Sequence, residues 1–164
     1  VIVKALFLDV DGVLNGHEKH PSSPYTIIRP DCVQRLNRVI EATHCQLVIS
    51  SAWRYMLLRV KGRKPAMTPY GFQYMLHTHG LVFWAHGCKV VGFTCADEKI
   101  PERGKQILAW LAEHPEVERW AVVDDDPMAM ELGKHRRRLV RTDGAKGLQD
   151  ADVVKLIRLL GKEK

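Results

Sequence analysis

The chain has 164 residues, enough for one domain to close a hydrophobic core of its own. Charged residues make up 27% and the apolar set 46%, a balance that argues against a disordered tract and fits an ordinary soluble globular protein. The net charge of +6 favours anionic partners, phosphate-bearing substrates and nucleic acid among them, although a basic solubilising surface would carry the same number.

The opening run VIVKALFLDV is almost continuously apolar and ends in acid, the pattern of a strand buried on both faces of a parallel sheet. It is too short and too quickly acidic for a signal peptide. Asp11-Gly12 breaks the strand, and the stretch from His17 to Pro30, with Pro21, Ser22, Ser23, Pro24 and Pro30, reads as loop. Asp31 is expected to N-cap a helix that carries Val33, Leu36, Val39 and Ile40 on one face. A second buried strand follows over Gln46-Leu47-Val48-Ile49-Ser50. Tyr70 to His79 is expected to be helical, with Tyr70, Phe72 and Tyr74 packing the helix rather than offering a base-stacking platform. Leu81 to Trp84 forms its end or a loop, and Lys89 to Thr94 is a short strand. Pro101-Glu102 opens a helix with Ile107, Leu108 and Leu111, which stops near His114-Pro115. Trp120-Ala121-Val122-Val123 is a further buried strand and again ends in acid, at Asp124, Asp125 and Asp126. Leu139 to Thr142 is read as the last strand and Asp150 to Leu160 as a closing amphipathic helix.

This alternation predicts an α/β fold, a Rossmann-like parallel sheet with helices on both faces, in a single domain over residues 1–164. The four cysteines, Cys32, Cys45, Cys88 and Cys95, form neither CxxC nor zinc-finger spacing and are read as reduced thiols of a cytoplasmic protein. Oligomeric state has no signature here, and a monomer is assumed. No stretch is long enough to span a membrane. The histidines, among them His17, His20, His77, His79 and His86, make no metal-ligand pattern; they are read as surface or satisfied core residues, although His17 and His20, in the loop after the first strand, could touch substrate.

In open α/β sheets, ligands gather at the carboxyl ends of the strands. Three strands of this chain end there in polar groups: Asp9 and Asp11, Ser50 and Ser51, Asp124 and Asp125. Carboxylates collected at one edge repel one another, and a divalent cation with oxygen ligands, magnesium by preference, relieves that repulsion. Asp9 and Asp11, two residues apart, would point to the same side of a regular strand. Any one of these acids alone would be read as a turn or cap residue; the recurrence at three strand ends is what points to a site.

Phe7-Leu8-Asp9-Val10-Asp11-Gly12-Val13-Leu14-Asn15 resembles the first motif of the haloacid dehalogenase-like (HAD) hydrolase superfamily. Val48-Ile49-Ser50 is similar to the second motif and Val122-Val123-Asp124-Asp125 to the fourth. The basic residue of the third motif falls at Arg103 or Lys105, with Arg103 favoured because Arg103-Gly104 followed by Ile107 resembles the usual spacing. The resemblance implies a HAD-like core and a phosphatase acting through an aspartyl-phosphate. Asp9 would be the nucleophile and Asp11 the general acid–base. Mg2+ would bind the Asp9 carboxylate, the Asp11 main-chain carbonyl and Asp125, with Asp124 supporting. Ser50, Gly12 and Arg103 or Lys105 would bind phosphate, joined by Arg54, whose planar guanidinium suits a phosphate. The second acid, Asp11, speaks for a phosphatase over a dehalogenase.

Little room remains for an inserted cap, so no cap or a minimal one is expected, and an open site suits large substrates. Ser51-Ala52-Trp53-Arg54, Arg103-Gly104 with Trp110-Leu111, and Thr142-Asp143 with Gly147-Leu148 together resemble the phosphatase-like domain of some RNA-repair proteins. The run Lys134-His135-Arg136-Arg137-Arg138, with Arg141 beyond it, could follow a phosphate backbone or be a solvated loop. Trp53 could stack a base, although packing is the commoner fate of such a residue. The expected activity is therefore a Mg2+-dependent phosphomonoesterase on RNA or DNA ends or nucleotides. The alternatives are a phosphatase of small metabolites such as sugar phosphates, or a nucleic-acid-binding module without turnover.

Overall fold

The structure, a computed structural model, describes residues 3–16, 28–53, 69–82, 86–94, 102–126 and 131–161. Five strands, β1 (Val3–Leu8), β2 (Gln46–Ile49), β3 (Val90–Phe93), β4 (Val117–Asp124) and β5 (Leu139–Arg141), form one sheet in the order β3-β2-β1-β4-β5. Every pairing is parallel. Four helices, α1 (Pro30–Thr43), α2 (Pro69–Thr78), α3 (Arg103–Glu113) and α4 (Asp150–Leu160), cover it, and a 3-10 helix over Gly133–Arg138 leads into β5.

Side chains that alternate along each strand divide into two cores. Leu6 and Leu8 of β1, Leu47 and Ile49 of β2, and Ala121 and Val123 of β4 pack with apolar residues of α1, α2 and α4. Ala5 and Phe7, Val48, and Trp120 and Val122 pack instead with Ile107 and Trp110 of α3. Burial on both faces is what the unbroken apolar runs of the sequence require. Gly92 serves the second face, because a Cβ there would lie 3.1 Å from the Trp110 indole nitrogen.

The expected elements recur within a residue or two, except that β4 starts at Val117, three residues before the expected Trp120, and three further details differ. α1 begins at Pro30 with Arg29 as its N-cap residue, so Asp31 is not the cap. Its carboxylate lies in the first turn, bonded to Arg29 and Arg35, where it also suits the positive end of the helix dipole. Tyr70 and Tyr74 are 70% and 61% exposed; Phe72 alone of that trio is buried, since only its position on α2 faces the sheet. Finally, β1 ends at Leu8, and Asp11 lies in the turn that follows. The same-side argument for Asp9 and Asp11 therefore does not apply, because it needs a regular strand.

The segments that decide whether a cap is present, 17–27 and 54–68, lie outside the described residues, as do His17, His20, Arg54 and Cys95. Cys32, Cys45 and Cys88 are buried free thiols. Burial pushes all three up in pKa, Cys45 to about 11, which keeps them protonated and unreactive. No helix among the described residues is long and apolar enough to cross a membrane.

Phe7 is wholly buried and meets Trp110 and Trp120 edge-on, with ring centroids 5.4 and 6.1 Å away. Phe7→Ala is expected to cost about 3–5 kcal/mol of stability, read as a lower urea midpoint at unchanged slope.

Candidate active site

Backbone register builds the site. The ladders continue one residue past the strand ends: Asp9 N–H donates to Val123 O, Ser50 N–H to Leu8 O, Thr94 N–H to Ile49 O and Thr142 N–H to Asp124 O. Asp124, Asp9, Ser50 and Thr94 consequently stand side by side at the carboxyl edge of β4, β1, β2 and β3. Each follows by two residues a side chain facing α3 (Val122, Phe7 and Val48) or the glycine against Trp110 (Gly92), so alternation turns all four toward α3. The Asp124–Asp9 end of the row is the β1/β4 boundary, where strand order reverses.

From that side comes Arg103, the first residue of α3. Its Nη1 donates to Asp9 Oδ2 at 2.5 Å and to Asp124 Oδ2 at 2.6 Å. Asp9 is 4% exposed and Asp124 fully buried, so this is a buried charge network rather than a surface pair. Burial opposes the charged guanidinium, yet the facing Asp9 and Asp124 outweigh it and hold Arg103 firmly protonated. Lys105, two residues on, points away: it pairs with Glu102 at 2.8 Å and is half exposed. Gly104 lets the helix start close in, since a Cβ there would come within 2.6 Å of Glu131 O.

The carboxylates of Asp9, Asp124 and Asp125 each bring an oxygen within 4.8 Å of the others, and they are the group among the described residues able to hold a metal ion. Burial first, and then the nearby Asp9 carboxylate, raise the pKa of both Asp124 and Asp125. An all-oxygen donor set whose members resist ionising together fits a hard divalent cation. Asp124 is further held by Asp126 N–H, which donates to its Oδ1 at 2.8 Å.

Gly12 has φ +71°, and a Cβ on it would lie 2.2 Å from Asp125 Cγ. It is the absence of a side chain here that admits Asp125 to the cluster. Its N–H donates to Asn15 Oδ1 and its carbonyl accepts from Thr142 Oγ1, both at 2.8 Å. Gly12 was expected to contact phosphate, but its polar backbone groups are engaged within the protein. Gly147 plays a related part: at φ +66°, a Cβ would strike Cys32 Sγ and the carbonyls of Val13 and Asn15. The loop after β5 thus braces the turn after β1, and Leu148 N–H donates to Val13 O.

Asp11 accepts from Asn15 Nδ2 at 2.9 Å and from the Trp53 indole N–H at 2.8 Å. Neither contact was anticipated. Asn15 lies within the quoted motif, and Trp53 follows the second motif closely; their short separation from polar strand ends was the available signal. Ser50 Oγ is buried and has no hydrogen-bond partner among the described residues, and the same holds for Thr94 Oγ1, which the sequence motifs do not single out. His77 and His79 bond the carbonyls of Leu81 and Met75. The basic run forms the 3-10 helix, with Lys134, Arg136 and Arg137 exposed. Arg138 lies over Trp120, whose register partner Ala5 is roughly 13 Å back along β1 from Asp9. Arg141, by contrast, stands at the site's rim, its Nε donating to Asp125 O at 3.3 Å.

A doubly covered parallel sheet with an acidic cluster at its switch point, closed by a basic residue from the helix before β4, defines a HAD-type core. A profile described as the HAD domain in Swiss Army Knife RNA repair proteins matches residues 5–153, and the chain belongs to that family. A crystal structure from Mesorhizobium loti, provisionally described as a HAD-like phosphatase, is similar in fold. It shares 18% identity over 99% of this chain and 90% of its own, with a TM-score of 0.50. No curated protein matches.

Two outcomes are expected. Arg103→Met strands Asp9 and Asp124 without their cation and lowers stability by about 3–5 kcal/mol in metal-free urea titrations. Ser50→Ala removes a buried hydroxyl that has no partner among the described residues, so stability in thermal unfolding is unchanged or improved by about 1 kcal/mol.

Proposed function

We propose that this protein is a magnesium-dependent phosphomonoesterase that forms an aspartyl-phosphate on Asp9. Family and fold support a phosphatase in the broad sense. The finer reading is carried by one observation: the buried Asp9 carboxylate lies between a guanidinium and an acidic pair. A carboxylate so held is oriented for attack, and the charges around it suit a transferring phosphoryl group.

In this mechanism an Asp9 oxygen attacks phosphorus as the bond to the leaving oxygen breaks, and Asp11 supplies the proton that oxygen takes up. Water then attacks the same phosphorus and gives its proton to Asp11. The Asp9–phosphorus bond breaks, releasing inorganic phosphate and restoring both acids. Arg103 offsets charge on Asp9 and on the phosphoryl oxygens, and Ser50 donates its hydroxyl to one of those oxygens. Asp9, Asp125 and the Asp11 carbonyl would hold Mg2+, with Asp124 behind them. The bound ion would supply Lewis-acid stabilisation of phosphoryl charge.

For substrate we propose phosphorylated ends of RNA or DNA. The family's description in RNA repair proteins supports this reading, as do Arg141 at the rim and the exposed cations of the 3-10 helix. That helix starts beside the N-terminus of α3, where Glu131 meets Gly104, and continues away from the strand tips, a course a polymer strand could share.

The test is turnover of an aryl phosphate with and without Mg2+, followed by a panel of 3′- and 5′-phosphorylated oligonucleotides against sugar phosphates and free nucleotides. Asp9→Asn is expected to lower activity by at least about 10³-fold, and chelation to abolish it reversibly. Full activity in Asp9→Asn would overturn the mechanism. Preference for sugar phosphates would overturn the substrate class, and salt-sensitive RNA binding without phosphate release would revive a non-catalytic module.

A further inference from the structure

Resting on the acid–base role proposed for Asp11, we propose that Trp53 is the positioning residue that aims the Asp11 carboxyl group at the leaving oxygen. Asp11 lies in a turn, outside the sheet, and lacks the ladder bonds that fix its neighbour Asp9. Two side chains from different loops hold it instead. Asn15 Nδ2 donates to Oδ1 at 2.9 Å, and Trp53 Nε1 donates to Oδ2 at 2.8 Å.

The chemistry of those partners is selective. An indole nitrogen only donates. The Asn15 amide could accept, but Gly12 N–H already bonds its Oδ1, which fixes the amide with its NH2 toward Asp11. Both contacts are therefore donors to the carboxyl group, and neither offers an acceptor for a proton that Asp11 carries.

Trp53 is itself held on two sides. Its backbone N–H donates to Ser51 Oγ at 3.3 Å, and its ring meets the wholly buried Phe72 of α2 edge-on, centroids 6.4 Å apart. Orientation of the acid is thus tied through one indole to the packing of α2. Asn15 alone would leave the carboxyl group free to swing about a single contact.

Proton delivery matters most when the departing oxygen is strongly basic, so leaving-group dependence separates aim from general damage. The experiment compares kcat/KM for an alkyl phosphate and for 4-nitrophenyl phosphate. It uses wild type, Trp53→Phe, Asp11→Asn, and a protein with 3-benzothienylalanine at position 53, which keeps the indole's shape without its N–H. Trp53→Phe and the benzothienyl protein are expected to lose about 10²-fold on the alkyl ester and less than about threefold on the nitrophenyl ester.

An equal loss on both esters in the benzothienyl protein, or none on either, would overturn the proposal. The benzothienyl protein decides the matter even where Trp53→Phe unfolds, since its thermal midpoint is expected to match wild type. Asp11→Asn separates the two levels of the argument. If it shows the same asymmetry and the position-53 proteins do not, the role of Trp53 fails alone. If Asp11→Asn shows no asymmetry, the acid–base reading fails and takes this proposal with it.

Discussion

Like charges crowd the tips of β1 and β4, and the arrangement persists because Arg103 lies among them. With carboxylate oxygens within 4.8 Å of one another, each pair repels by roughly 3 kcal/mol at an effective dielectric near 20. Arg103 reaches two of the three acids directly, from the first residue of α3. A single cation against three carboxylates still leaves the pocket anionic, which the raised pKa values of Asp124 and Asp125 express. An anionic phosphate would enter such a pocket only with further positive charge beside it. The electrostatics thus argue for a bound cation independently of family membership.

Parallel pairing explains why these groups meet at all. Leu8 is in register with both Ile49 and Val123, so the residues that follow these three, Asp9, Ser50 and Asp124, fall at the same level without long side chains having to reach. The loop after β5 then locks the level in place, through Thr142 to Gly12 and Leu148 to Val13. Residues far apart in the chain serve one short turn, and Gly12 and Gly147 are glycines because backbone and side chains approach there too closely for a Cβ.

Much of this could be read from the chain before any coordinates. The apolar runs ending in polar groups identified β1, β2 and β4, since burial on both faces leaves no alternation to mislead. The amphipathic spacing of Val33, Leu36, Val39 and Ile40 identified α1 for the same reason, that its inner face is wholly buried. What could not be read was whatever depends on contacts across the fold. Asp31 looked like a cap because capping is decided by local chemistry, yet Pro30 was free to take the first helical position. Choosing Arg103 over Lys105 relied on resemblance, whereas the geometry separates them by orientation alone: two residues along a helix turn the side chain by about 200°. The contacts of Trp53 and Asn15 on Asp11 were out of reach because one-dimensional spacing says nothing about which loop leans on which.

The finished site divides into a held half and an unclaimed half. On the β4 and β1 side, both carboxylate oxygens of Asp124, Asp9 and Asp11 accept hydrogen bonds from the protein. On the β2 and β3 side, the neighbouring hydroxyls of Ser50 and Thr94 are buried and have no partner among the described residues. An unsatisfied buried hydroxyl costs about 1–3 kcal/mol, and two in adjacent register are hard to explain by packing, because Ala or Val would fill the same space at less cost. The row makes sense when its acids are fixed in advance and its hydroxyls wait for acceptor oxygens from outside. Phosphoryl oxygens are acceptors of that kind, and Ser50 stands next to Asp9, where a phosphoryl group carried on that carboxylate would have to lie.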